Sequence, residues 1–192
     1  YVTTPYTTNE CRELLHKIKG EKLELIVMTA ILTGLRRSEL LGLRWKSIDF
    51  DNNLIHVNHS VIRAIIDGHQ TSLGQDKLKR DTSFRTLPLI NQLRNIFQKE
   101  MHNRYHGKDP NPEEYIFIDE KGEVLKPNYV SEAFPKFLCK HNLRKIRFHD
   151  LRHSCANLLI TSRVPLIEVQ QWMGHSSVST TADMYGHLTF EN

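Results

Sequence analysis

Apolar residues recur along this chain with two different periods, in separate stretches. Behind the polar opening Thr7-Thr8-Asn9-Glu10, the apolar positions Cys11, Leu14, Leu15 and Ile18 repeat at helical spacing. That spacing predicts a capped amphipathic helix, stopped by Gly20. Residues 22–33 form a more apolar segment with Leu25, Met28 and Leu32 on one helical stripe. Thr33-Gly34 ends it, and a short helix starts near Arg36 or Ser38 and runs through Leu43. The texture then changes to short β-branched or aromatic runs at Ile48–Phe50, Leu54–Val57, Val61–Ile66 and Phe84–Leu89, separated by Asp51-Asn52-Asn53 and Asp67-Gly68. These predict a small antiparallel sheet. Helical spacing returns over 90–105, 127–141, 148–162, 165–173 and 176–186, with one short strand at Tyr115–Ile118. The expected fold class is α+β, mainly α-helical with a small antiparallel β-meander, in one domain.

Composition narrows the class. The chain has 192 residues, 39% of them hydrophobic, which is enough to bury a core in a single domain. Both charge signs are abundant, so disorder and a polybasic tail are not the default reading. The longest apolar stretch, Leu25 to Leu32, is too short to span a bilayer. Cys11, Cys139 and Cys155 are odd in number and far apart, which argues for a reducing compartment over a disulfide framework. The chain opens Tyr1-Val2 rather than with Met, as expected of a piece cut from a longer protein.

Net charge is +4, but charge is segregated. Residues 136–152 carry Lys136, Lys140, Arg144, Lys145, Arg147 and Arg152 against Asp150 alone. Residues 109–125 carry Asp109, Glu113, Glu114, Asp119, Glu120 and Glu123 against Lys121. A basic stretch of this kind suits a polyanion, although a solvated helix face has the same composition.

Four segments hold residues suited to chemistry. In Thr33-Gly34-Leu35-Arg36-Arg37-Ser38-Glu39-Leu40 an arginine follows a glycine break at the mouth of a helix, where its fork and the helix amides both favour an anion. Lys77-Leu78-Lys79-Arg80-Asp81-Thr82-Ser83-Phe84-Arg85 offers turn lysines able to donate a proton. In Arg147-Phe148-His149-Asp150-Leu151-Arg152-His153 a helix would place His149 and Arg152 about 60° apart on one polar face. Phe148, Leu151, Cys155, Leu158 and Leu159 would form the core stripe opposite. The fourth segment, Trp172-Met173-Gly174-His175-Ser176-Ser177, is followed by Tyr185. Gly174 ends one helix, the serines cap the next, and His175 lies in the joint. Each segment alone is compatible with ordinary surface or packing.

Together and in this order they resemble the tyrosine recombinase family, the phage-type and transposon-type integrases. The family pattern is an arginine in Gly-Leu-Arg-x-Ser-Glu-Leu, a hairpin lysine, His-x-x-Arg, a Gly-His segment and a nucleophilic tyrosine soon after. Here it reads Gly34-Leu35-Arg36-Arg37-Ser38-Glu39-Leu40, Lys79, His149-Asp150-Leu151-Arg152-His153, Met173-Gly174-His175 and Tyr185-Gly186-His187. The likeness runs from about residue 7 to 188. The hairpin departs from the pattern: Lys79-Arg80-Asp81-Thr82-Ser83 stands where relatives often have Lys-Thr-Lys-Ser-Ser before an Arg and Pro-Leu. Lys79 fits best and Lys77 competes with it. Arg37 stands where relatives usually carry an apolar residue.

The resemblance implies the catalytic-domain fold of that family over residues 1–192, with arm-binding and core-binding domains of a longer integrase absent. It implies strand cleavage through a covalent 3′-phosphotyrosine and rejoining for integration and excision of a mobile element. Tyr185 would be the nucleophile and Arg36, Arg152 and His175 the donors to the phosphate. Lys79 would be the general acid, His149 a general base or orienting partner, and Glu39 a support. Arg37, Lys77, Arg80, Arg144, Lys145 and Arg147 are the expected DNA-binding residues. No metal and no cofactor are expected. The expected partners are double-stranded DNA at recombination sites, three further copies in a homotetramer and an excision accessory protein, with no membrane, in a bacterial cytoplasm. Two rivals stand beside this reading: a zinc-dependent hydrolase using His149 and His153, one residue off His-Glu-x-x-His, and a catalytically silent DNA-binding module.

Overall fold

The computed structural model describes residues 4–66, 69–76 and 84–174. Helix α1, Thr8–Lys17, begins in a reciprocal cap: the Glu10 amide donates to Thr7 Oγ1 at 3.3 Å and the Thr7 amide to Glu10 Oε2 at 2.8 Å. Its apolar stripe buries Cys11 and Leu14. Helix α2, Glu24–Thr33, is buried on most sides, through Ile26, Val27, Thr29, Ala30, Ile31 and Thr33. An evenly apolar helix belongs in the centre of a domain, and α2 packs against helices on both sides of it. It ends at Gly34 with φ +64°, and its chain then enters the short helix α3, Arg37–Leu41.

A 3₁₀ turn at Trp45–Ser47 leads into the strands. Strands β1 (Ile48–Asp49), β2 (Leu54–Val57) and β5 (Arg85–Pro88) form one antiparallel sheet in the order β1-β2-β5. Ile55 faces Leu87 across it, both buried. Strands β3 (His59–Ile66) and β4 (His69–Asp76) form a separate two-stranded ribbon, in register from His59↔Asp76 to Ile66↔His69. The expected single meander is therefore a three-stranded sheet with a ribbon inserted between β2 and β5. Strand β4 was not among the expected elements. Its sequence, His-Gln-Thr-Ser-Leu-Gly-Gln-Asp, has no apolar alternation, and it is held by backbone pairing with β3. The expected strand at Tyr115–Ile118 reduces to isolated bridges, Arg44↔Tyr115 and Ile118↔Val124.

Helices α4 (Asn91–Tyr105), α5 (Pro127–Lys140), α6 (Asp150–Thr161) and α7 (Leu166–Met173) match the helical periods to within two residues. The helix expected over 176–186 lies outside the described residues. Pro127 opens α5 at its first turn, where a missing amide costs nothing. The core runs from Tyr6 and Leu14 through Phe97 to Phe134, which meets Phe148 edge to face at 5.6 Å. A smaller cluster of Ala156, Val169 and Met173 fixes α7 on α6. Among the described residues no helix is long and apolar enough to cross a membrane.

The turn at Gly34 is constrained twice. Its φ is left-handed, and a Cβ there would lie 2.8 Å from Met173 Sδ and 3.1 Å from Cys155 Sγ. Gly34→Ala is expected to lower stability by about 1–2 kcal/mol, read as a reduced denaturant midpoint with an unchanged m-value.

Candidate active site at the end of helix α7

The last turn of a helix leaves backbone carbonyls without partners and carries partial negative charge. At the end of α7 three successive carbonyls are met by three arginines from three other elements. Arg85 Nε donates to Trp172 O at 2.9 Å, Arg152 Nη2 to Met173 O at 2.5 Å, and Arg36 Nη2 to Gly174 O at 3.0 Å. Arg152 Nη1 also donates to Gly34 O at 2.5 Å, and Trp172 Nε1 donates to Thr33 O at 2.9 Å. The C-terminal ends of α2 and α7 are thus joined through side chains. Gly174 itself has φ +63°.

Two of these arginines share one buried carboxylate. Glu39 is fully buried. Its Oε1 accepts from Arg36 Nη1 at 3.0 Å and Arg85 Nη1 at 3.3 Å; its Oε2 accepts from the Arg36 amide at 3.0 Å and Arg85 Nη2 at 2.9 Å. Arg36 stays 40% exposed at the side chain, whereas Arg85 is 8% exposed.

The His149 segment differs from a plain helical face. His149 precedes α6, whose first residue is Asp150. Asp150 is buried and accepts from the Arg147 amide at 2.8 Å and from Arg147 Nε and Nη2 at 3.1 and 2.8 Å. Arg152, expected on the polar face beside His149, is instead buried. Its aliphatic stem and its two carbonyl partners pull it inward, which helical periodicity alone cannot show. His149 and His153 meet edge to face with ring centroids 5.6 Å apart. Crowding by the surrounding protein holds the His149 pKa below the ordinary imidazole value, and the nearby His153 and Arg152 push it the same way. Burial also lowers that of His153. Both shifts favour the neutral ring, the form in which an imidazole can accept a proton.

An open cleft of about 760 Å³ brings together Arg36, Arg37, Lys145, Arg147 and His149, with no acidic residue among the described residues that line it. Arg37 donates across it to Ser131 Oγ at 2.5 Å. Arg144 is placed differently from its neighbours: its guanidinium binds the Glu10 carboxylate and the Thr4 and Pro5 carbonyls and lies over the Tyr6 ring. Lys77, Lys79 and Arg80 fall in the connection between β4 and β5, and His175 and Tyr185 follow Gly174; all five lie outside the described residues. No sequence motif assigns a role to Arg85 or Asp150. The signal for Arg85 was its place in the strand before Pro88, but its pairing with Glu39 spans 46 positions. Among the described residues no group of three or more His, Cys, Asp or Glu side chains is gathered to hold a metal, and the zinc-hydrolase reading finds no support.

The cleft with its arginines and His149 sits in a mainly helical domain, and comparison with known proteins gives that domain a family. The model of the phage integrase family matches residues 6–192, and the chain belongs to that family. It is 28% identical over 195 residues to a XerC-like tyrosine recombinase of Caldanaerobacter subterraneus, covering 95% of this chain and 50% of that protein. It is 33% identical over 163 residues to the ICEBs1 integrase of Bacillus subtilis, covering 83% and 43%. The chain spans about half the length of these curated relatives. Among solved structures, the Tn1549 transposon integrase in complex with circular intermediate DNA superimposes with a TM-score of 0.84 at 25% identity, over 99% of this chain and 64% of that one.

The His149 titration is directly measurable. Its NMR midpoint is expected below 6.5 and should rise in His153→Gln, which removes a neighbouring cation at low pH. Because the folded-state pKa values are depressed, the unfolded chain binds protons first as pH falls below about 6.5. Stability should therefore rise as pH increases from about 5 to 7, less steeply in the variant, as read by denaturant titration across that range.

Proposed function

We propose that this chain is the catalytic domain of a site-specific DNA recombinase, with arm-binding and core-binding domains belonging to other parts of the full-length protein. The observation that carries the reading is the cleft, whose charged lining among the described residues is cationic and which contains Arg36, itself bound to the last carbonyl before His175. Its relatives are named recombinases, integrases and transposases, and the Tn1549 integrase is solved on DNA.

The residues divide the reaction as follows. Tyr185 attacks the scissile phosphorus, giving a 3′-phosphotyrosine and releasing a 5′-hydroxyl. A phenol is a weak nucleophile at pH 7, its ordinary pKa being about 10, so neutral His149 takes its proton or orients it. Charge developing on the non-bridging oxygens is met by Arg36 and His175, and Arg152 adds positive charge from beneath the surface, where screening by water is weak. Lys79, or Lys77, protonates the leaving oxygen. Arg37, Lys145 and Arg147 bind flanking phosphates, with Lys77 and Arg80 in the same role from the β4–β5 connection. Arg144, engaged by Glu10, is assigned a smaller share. Fixed cations supply the stabilisation that a metal gives in other phosphoryl transfers, and the reaction calls for no cofactor. In the full-length protein we assign a homotetramer on two duplexes, with an excision accessory protein as partner, in the cytoplasm of a bacterial host.

A suicide DNA substrate tests the reading. The wild-type chain should form a protease-sensitive covalent adduct, and Tyr185→Phe should reduce it by at least about 10³-fold. Binding without adduct in the wild type would favour the silent DNA-binding module; an undiminished adduct in Tyr185→Phe would move the nucleophile elsewhere. For the general acid, Lys79→Ala should lose cleavage on ordinary DNA and regain it on a 5′-bridging phosphorothiolate, whose leaving group needs no proton. If Lys77→Ala shows that rescue instead, the acid is Lys77.

A further inference from the structure

Glu39 presents an electrostatic difficulty for the site just described. A buried carboxylate three positions from Arg36, hydrogen-bonded to both its backbone and its side chain, is built to neutralise the cation that the phosphate needs. In a poorly screened environment such a pair cancels most of its own field. Arg85 changes the balance. It reaches the same carboxylate from strand β5 through two hydrogen bonds, at 2.9 and 3.3 Å, and is itself almost fully buried. Among the described residues two guanidinium groups then share one carboxylate, and these three side chains together carry a net charge of +1.

The exposure of the partners decides where that charge is felt. Arg85 is 8% exposed and Glu39 not at all, so Arg36, at 40%, is the member of the cluster that faces the cleft. Arg85 also fixes the cluster in space. Its Nε holds Trp172 O, and its fork lies so close under Gly174 that a Cβ there would come within 2.8 Å of Nη1.

We propose that Arg85 is a positioning residue that claims half of the Glu39 carboxylate and thereby leaves Arg36 cationic and turned toward the scissile phosphate. Without it, Glu39 draws the Arg36 fork into a two-point ion pair and away from the cleft. The proposal rests on the recombinase reading for its consequence in catalysis, but not for its electrostatics.

The test is a double-mutant cycle of Arg85→Met and Glu39→Gln, with circular dichroism and thermal midpoints to verify folding. Arg85→Met should lower single-turnover cleavage of the suicide substrate about 100-fold, while DNA affinity, set by many backbone contacts, changes less than about three-fold. Adding Glu39→Gln should restore at least about ten-fold of the loss, because a neutral amide no longer captures Arg36. A purely structural Arg85 would give no such rescue, and a folded double variant no better than Arg85→Met overturns the proposal. Should Arg85→Met fail to fold, the comparison is made in the Glu39→Gln background, where removing Arg85 should cost less than about five-fold and a larger loss overturns it. A second arm needs no catalysis: inorganic phosphate binding, followed through the arginine Nε–H NMR signals, should weaken about five-fold in Arg85→Met and recover in the double variant. Absence of cleavage by the wild type with this phosphate pattern intact defeats the recombinase reading alone; absence of the phosphate pattern defeats the role of Arg85.

Discussion

Three consecutive carbonyls at the end of α7 accept hydrogen bonds from three arginines, and the site is organised by that constraint. A helix C-terminus would ordinarily finish in water or in a local turn. Here it finishes against Arg36 at the start of α3, Arg85 at the start of β5 and Arg152 in α6. The arrangement answers two costs at once. Carbonyls that would be buried without partners gain charge-assisted donors, and guanidinium groups that would be buried without acceptors gain carbonyls and the Glu39 carboxylate. Elements far apart in sequence, brought together by the apolar core, satisfy each other's buried polar groups here.

The described cations around this site consequently fall into two populations. Arg85 and Arg152 are buried and spend their donors on protein. They set geometry and a steady positive field. Arg37, Lys145 and Arg147 line the open cleft, with Arg147 steadied by Asp150 and Arg37 by Ser131, and are placed to meet an anion from solution. Among these residues Arg36 belongs to both, its fork shared between the Glu39 and Gly174 oxygens while part of it remains open to the cleft. Neutral His149 sits on the same wall, its low basicity following from the surrounding crowding and cations.

Much of this was legible in the sequence because it is local. The capping box at Thr7 and Glu10, the glycine stops at Gly34 and Gly174 and the helical periods between residues 90 and 173 depend on neighbours a few positions apart, and the structure has them. The family pattern likewise named Arg36, Glu39, His149 and Arg152 from short motifs. What escaped was non-local. Strand β4 has no alternation to betray it, since a two-stranded ribbon can be held by backbone pairing. Arg152 lies three residues from His149 and shares its helical face in projection, yet tertiary carbonyls draw it into the interior. Arg85 needs Glu39, and Arg144 needs Glu10; neither partner is visible from the segment that carries the arginine.

Arg144 has a mechanical meaning as well. Its bonds to the Thr4 and Pro5 carbonyls and to Glu10, together with the Tyr6 hydroxyl donating to its own carbonyl, clasp the first described residues to the loop between α5 and α6. The next residues along that loop, Lys145 to His149, form one wall of the cationic cleft. Thr4–Tyr6 are therefore tied by hydrogen bonds to the segment that leads directly into the cationic wall of the cleft. The clasp joins segments about 140 positions apart, so the start of α1 and one wall of the cleft share a single anchor in Arg144.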